Sequence, residues 1–148
     1  MAKKVKQKNN SGNIKRIPNS NIKSTDSEKI VWCFDRIDRD GYFRFDTGRG
    51  DFNHREVLQK IIDYSNMTWN EVKSQTHDKG KSKHHFLSVD GISQKGIERI
   101  QIKKLFDDAD SIFSFAFQNK LRIIGIRSNE KFHVVWYDPF HEFFESSK

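Results

Sequence analysis

Two arginines and a set of histidines are the residues of this chain best suited to do chemistry. Arg122 sits inside an alternating apolar run, KLRIIGI, and Arg127 ends it. A guanidinium projecting from a sheet is costly to bury unless it reaches solvent, a carboxylate or a phosphate. For Arg127 a pair with Glu130 or Asp138 is the expected resolution; Arg122 has a weaker claim to one. His141 and Glu142 follow at the end of the next run, in DPFHEFF, where loops on a rigid sheet often carry function. His84 and His85 close the glycine-hinged loop HDKGKSKHHF, whose Lys79, Lys81 and Lys83 make it the basic concentration of the folded part. In an extended segment the two adjacent rings point to opposite faces and do not share one metal. No zinc spacing links them to His77 or His141, so no metal is expected. Cys33 lies in an expected strand and reads as a buried, inert thiol. There is no glycine-rich phosphate loop, serine nucleophile elbow or paired-carboxylate motif, and no small-molecule cofactor is expected.

The elements that must position these residues are legible in the pattern. From Ser111 to Phe144 three period-2 apolar runs are separated by Gln118-Asn119-Lys120 and Ser128-Asn129-Glu130. Loops this short join antiparallel neighbours, so the runs form a three-strand meander. Phe113, Phe115 and Phe117 should share one face, and Phe132, Val134 and Trp136 should share another, opposite His133, Val135 and Tyr137. Upstream, Ile30–Ile37 and Tyr42–Phe45 read as an N-terminal hairpin around Asp38-Arg39-Asp40-Gly41. That turn is no calcium loop: Arg36 and Thr47 fall where ligating carboxylates are required. Asn53-His54-Arg55-Glu56 and Thr68-Trp69-Asn70-Glu71 are capping boxes that open a helix pair, and a third helix starts after Ser93. The fold class is α+β: an N-terminal β-hairpin and helix pair, then a helix and the C-terminal meander, forming one sheet packed on helices.

Size and charge fit one such domain. The chain has 148 residues, only 34% of them hydrophobic, but 13 Phe and three Trp supply large core side chains. The net charge of +7 is concentrated at one end: residues 1–29 hold eight basic and two acidic residues, leaving 19 basic and 18 acidic for the rest. Residues 1–28 are therefore read as a disordered basic tail, with Lys3, Lys4, Lys6 and Lys8 available to nucleic acid by counterion release, and 29–148 as a single domain. No run approaches the roughly 20 apolar residues of a membrane span. With a single cysteine and no secretory leader, the expectation is a cytoplasmic protein without a membrane partner.

The order of helices, an apolar strand, an Arg-bearing strand, a further apolar strand and a terminal His resembles the RelE/YoeB-type mRNA interferases of toxin–antitoxin modules. The matching positions are Phe113–Phe117, Arg122 in KLRIIGI, Phe132–Tyr137 and His141 in PFHEFF, within residues 92–144. The resemblance implies an endoribonuclease, acting with or without the ribosome, and an antitoxin-like protein partner. It implies that Arg122 stabilises charge on the scissile phosphate and His141 acts as general acid, with Glu142, His84 or His85 as the base. Apart from the resemblance, nucleic-acid contacts are expected at Lys79, Lys81, Lys83 and Arg127. Ser114 and Ala116 stand where those toxins often place basic residues, and residues 30–76 are extra to their compact pattern. The alternative is a non-enzymatic nucleic-acid- or protein-binding module of a mobile element.

Overall fold

Phenylalanine-rich alternation produces a strand buried on both faces. In the computed structural model, which describes residues 24–77 and 79–145, the strand Ile112–Ala116 (β3) is buried at all five positions. It pairs antiparallel with Arg122–Ser128 (β4), which pairs antiparallel with Lys131–Asp138 (β5), so the meander and the α+β class are as the pattern requires. Val31–Cys33 (β1) and His85–Phe86 (β2) flank it, giving a five-stranded mixed sheet in the order β1-β5-β4-β3-β2.

The N-terminal hairpin takes another form. β1 runs parallel to β5, with Cys33 opposite His133, and 42–45 does not ladder with it. Both segments dock on β5 instead: Asp38 N donates to Val135 O and Tyr137 N to Phe43 O. A three-residue edge strand gains more by adding to a buried sheet than by forming an isolated hairpin, which is marginal alone.

Helices cover both faces of the sheet. His54–Ser65 (α1) starts at Asn53, whose side chain accepts from Glu56 N; Trp69–Ser74 (α2) starts with a complete Thr68–Glu71 capping box. Val57, Tyr64, Trp69 and Val72 from these helices join Phe113, Phe115, Ile123, Phe132 and Val134 in the first core. On α1, Leu58 and Ile62 face outward, while Val57 and Tyr64 face inward. The third helix, Gln94–Ile102 (α3), is capped by Ser93 and packs on the opposite face with Ile112, Ile124, Ile126, Val135, Trp136 and Phe143.

Val135 and Trp136 share that second core because β5 carries a bulge. Ile124 pairs with Trp136 but Gly125 pairs with Val134, leaving Val135 as an extra residue. The extra residue reverses the alternation beyond it: Trp136 joins the α3 face and Tyr137 the α1 face, the reverse of simple period 2. Gly125 lies against this irregularity, where any Cβ would collide with the His133 carbonyl oxygen.

The fold reaches back to at least Thr25. Asp26 accepts from Lys73 Nζ at 2.9 Å and from Arg127 Nη2 at 2.6 Å, and its carbonyl accepts from Asn70 N. Residues 24–28, expected in the tail, thus contact the domain through a carboxylate that pairs with the half-exposed Lys73 and the nearly buried Arg127. The expected disorder of residues 1–23, with Lys3, Lys4, Lys6 and Lys8, concerns positions outside the described residues. Among the described residues, no helix is long and apolar enough to cross a membrane.

Candidate functional site

Arg122 opens β4 on the α3 side of the sheet, opposite Ala116 on one neighbour and Asp138 on the other. Its half-buried guanidinium uses Nη1 to donate to the carbonyls of Asn119 (2.8 Å) and Leu121 (3.0 Å). Among the described residues Nε and Nη2 have no hydrogen-bond partner and no carboxylate lies within ion-pair distance. Asp138 is the nearest compensation, yet both of its oxygens are already taken. Oδ1 accepts from Glu142 N and Oδ2 from Phe143 N, each at 2.9 Å. Burial raises the Asp138 pKa and lowers that of Arg122, which shows how little solvent either charge retains. An under-compensated guanidinium with three N–H donors to spare is an anion-binding group.

The Asp138 bonds also form the turn that carries His141, which has a positive φ of 58°. His141 is exposed, and its pKa is lowered first by desolvation and then by Arg122, His85, Lys120 and His77. Desolvation and the neighbouring Arg122 and Lys120 charges all act in that direction, which favours the neutral imidazole. His85 lies on the same face as Arg122, paired with Ser114, and its ring meets Phe144 edge-on at 5.9 Å. Its Nδ1 contacts the Phe86 carbonyl at 3.2 Å; since a carbonyl only accepts, that nitrogen carries the proton and Nε2 remains free to accept. Arg122, His141 and His85 are thus brought together.

Three other expected site residues are committed elsewhere. His84 is 1% exposed; its Nδ1 accepts from Ala116 N at 3.0 Å and its Nε2 donates to Gln75 Oε1 at 2.7 Å. Burial pushes its pKa down to about 3. The ring takes the place of a missing strand partner at the edge of β3, while Tyr64 OH donates to the Ala116 carbonyl at 2.6 Å. With both nitrogens occupied, His84 is a structural residue and not a base. Glu142 accepts from Tyr42 OH at 2.6 Å, and Lys95 lies 3.8 Å over that phenol ring. Its carboxylate is drawn to the Tyr42–Lys95 pair and away from the base role. Arg127 emerges on the opposite face from Arg122. It donates to Asp26, Thr25 Oγ1 and the Asn129 carbonyl, and stacks 4.0 Å over Trp69. The charge of this guanidinium is paired, by Asp26 and not by Glu130 or Asp138, and is removed from the nucleic-acid contacts.

The basic loop behaves as a unit. Thr76, His77, Lys79, Lys81 and Lys83 line an open hollow of about 400 Å³. The loop neighbours the Arg122 end, since His77 contributes to the field at both His84 and His141. Lys120 and His77 are members of this electropositive region that no motif singled out. Lys120 sits in the β3–β4 turn next to Asn119, whose φ of 56° sets the turn, so its proximity to His141 depends on strand register and not on local spacing.

No protein-family model matches the chain, and no curated protein or solved structure matches it to a significant degree.

Proposed function

We propose that the protein engages RNA at the end of the sheet where Arg122, His141, His85 and Lys120 meet the Lys79–Lys83 loop, and that it cleaves RNA there by transesterification. The observation that carries this reading is the Arg122 guanidinium, half-buried, without an ion pair to a carboxylate among the described residues, and with three N–H donors, on Nε and Nη2, left over. A phosphodiester supplies the missing charge and the acceptors.

The chemistry follows from the protonation states. Neutral His141 accepts the proton of a ribose 2′-OH; this role replaces that of general acid, which needs a protonated ring. The 2′-oxygen forms a bond to phosphorus, Arg122 holds the phosphoryl oxygens as charge builds on them, and the bond to the 5′-oxygen breaks. The leaving 5′-oxygen takes its proton from water, and His141 releases to solvent the proton it gained from the 2′-OH, with neutral His85 on the same face as a hydrogen-bond acceptor. The products are a 2′,3′-cyclic phosphate and a 5′-hydroxyl, with no change in electron count.

Expression of the full chain should arrest growth and yield cellular RNA with those end groups. Arg122→Ala and His141→Ala should each relieve the arrest at equal protein levels, and His84→Gln should relieve it only through lower abundance. Unaltered growth at verified expression counts against cleavage. A non-cleaving RNA-binding module is the second reading, favoured by the absorption of Glu142 and His84 into structural contacts. It predicts Arg122-dependent RNA association without new 5′-hydroxyl ends.

A further inference from the structure

At the far edge of the sheet the fold assembles a second group of reactive side chains that the RNA reading does not use. Cys33 on β1 and His133 on β5 are register partners in the parallel pair, so their side chains stand side by side on one face. Asp35 follows two residues after Cys33, and one ligand atom from each of Cys33, Asp35 and His133 lies within 4.8 Å of the others. His133 Nδ1 and Asp35 Oδ1 are 2.7 Å apart. Cys33 is half-buried and not sealed in the core, contrary to the inert-thiol expectation.

We propose that Cys33, Asp35 and His133 bind a divalent cation of the zinc class, with solvent in the fourth position. Zinc bonds of about 2.3 Å to sulfur and about 2.0–2.2 Å to nitrogen and oxygen require tetrahedral ligand separations of roughly 3.2–3.7 Å. The three atoms reach that geometry by small rotamer changes. The Asp35–His133 contact opens by about half an ångström and the sulfur swings inward. Asp35 moves at little cost, because its side chain is 67% exposed. That exposure also leaves room for water at the fourth vertex. A thiolate and a carboxylate cancel the two positive charges of the ion, so the occupied site needs no further counter-charge. The donor set also decides the metal. Thiolate with imidazole selects zinc, or cobalt as its substitute, over magnesium and calcium, which require oxygen cages. Occupancy would clamp the three-residue β1 to β5.

The test uses the full, untagged chain with cobalt as the optical probe and zinc as the competitor. One equivalent of cobalt should produce a thiolate-to-cobalt charge-transfer band, which zinc abolishes, and one equivalent of zinc should raise Tm. Cys33 is the sole cysteine of the chain, so the band reports this site alone. Cys33→Ser should remove the band and the zinc-dependent rise. Asp35→Asn, at an exposed position that leaves the fold intact, should weaken cobalt uptake by more than about tenfold. Absence of the band in the natural chain overturns the proposal. So does a zinc-dependent rise that survives Cys33→Ser and disappears on His141→Ala, which would assign uptake to the other imidazole cluster.

Discussion

Arg122 and His84 show how the same kind of environment gives opposite roles. Both are partly or fully desolvated, but His84 has each nitrogen satisfied and Arg122 has donors left over. The consequence for His84 is a stability that depends on pH. Unfolded, its ring takes up a proton near the ordinary 6.5, whereas folded it resists until about 3. The unfolded state therefore binds more protons in that window, and stability should fall as pH drops from 6.5 towards 3, by up to about 1.4 kcal/mol per unit. Urea denaturation at pH 7 and pH 5 should show this loss in the natural chain and a smaller one in His84→Gln. Arg122 acts on His141 with a checkable sign. Its charge helps to hold the His141 pKa down, so Arg122→Ala should raise that pKa towards its ordinary value, as followed by NMR titration of the imidazole. The acid limb of any cleavage profile should move to higher pH with it. An unmoved titration would separate the two residues.

At the scale of elements, β5 decides most of the arrangement. Its bulge places Val135 and Trp136 in one core and needs Gly125 beside it. Gly125→Ala should cost at least about 2 kcal/mol of unfolding free energy, because the new methyl meets backbone and no flexible side chain can yield. A loss below half a kilocalorie would remove the packing argument. The segment 24–28 is a second such element. Asp26→Ala strands Lys73 and the nearly buried Arg127, whose side chain is 10% exposed, and should cost about 1–3 kcal/mol by denaturant titration. Much of this layer was readable from residue types. Alternating phenylalanines and three-residue loops require the meander, and capping residues at Asn53, Thr68 and Ser93 mark all three helix starts. What escaped was every feature set by pairing over long separations. The bulge has no local signature, the parallel β1–β5 pair joins segments about a hundred residues apart, and the Asp26–Arg127 contact does the same. The site divides in the same way: Arg122 and His141 stand out by type, while the pairing of Arg127 with Asp26 and of His84 with Ala116 depends on residues well separated along the chain.

For the whole molecule, the decisive feature is that helices cover both faces of the sheet, which confines any binding surface to its ends and edges. One end gathers Arg122, Lys120, His77, His85, His141 and the lysine loop, while Arg127 on the opposite face is neutralised internally. Charge is thus asymmetric in a domain whose sum from residue 30 onward is close to balance. RNA association should weaken steeply with salt, by counterion release from that end. The most direct test is the affinity of the full chain for a single-stranded RNA at fixed ionic strength, compared between the natural protein and Arg122→Ala. Loss of a charged pair of hydrogen bonds to phosphate should weaken binding by about 10–100-fold, with the fold intact by circular dichroism. Equal affinity in the two proteins would contradict the assignment of this guanidinium as the RNA-binding centre.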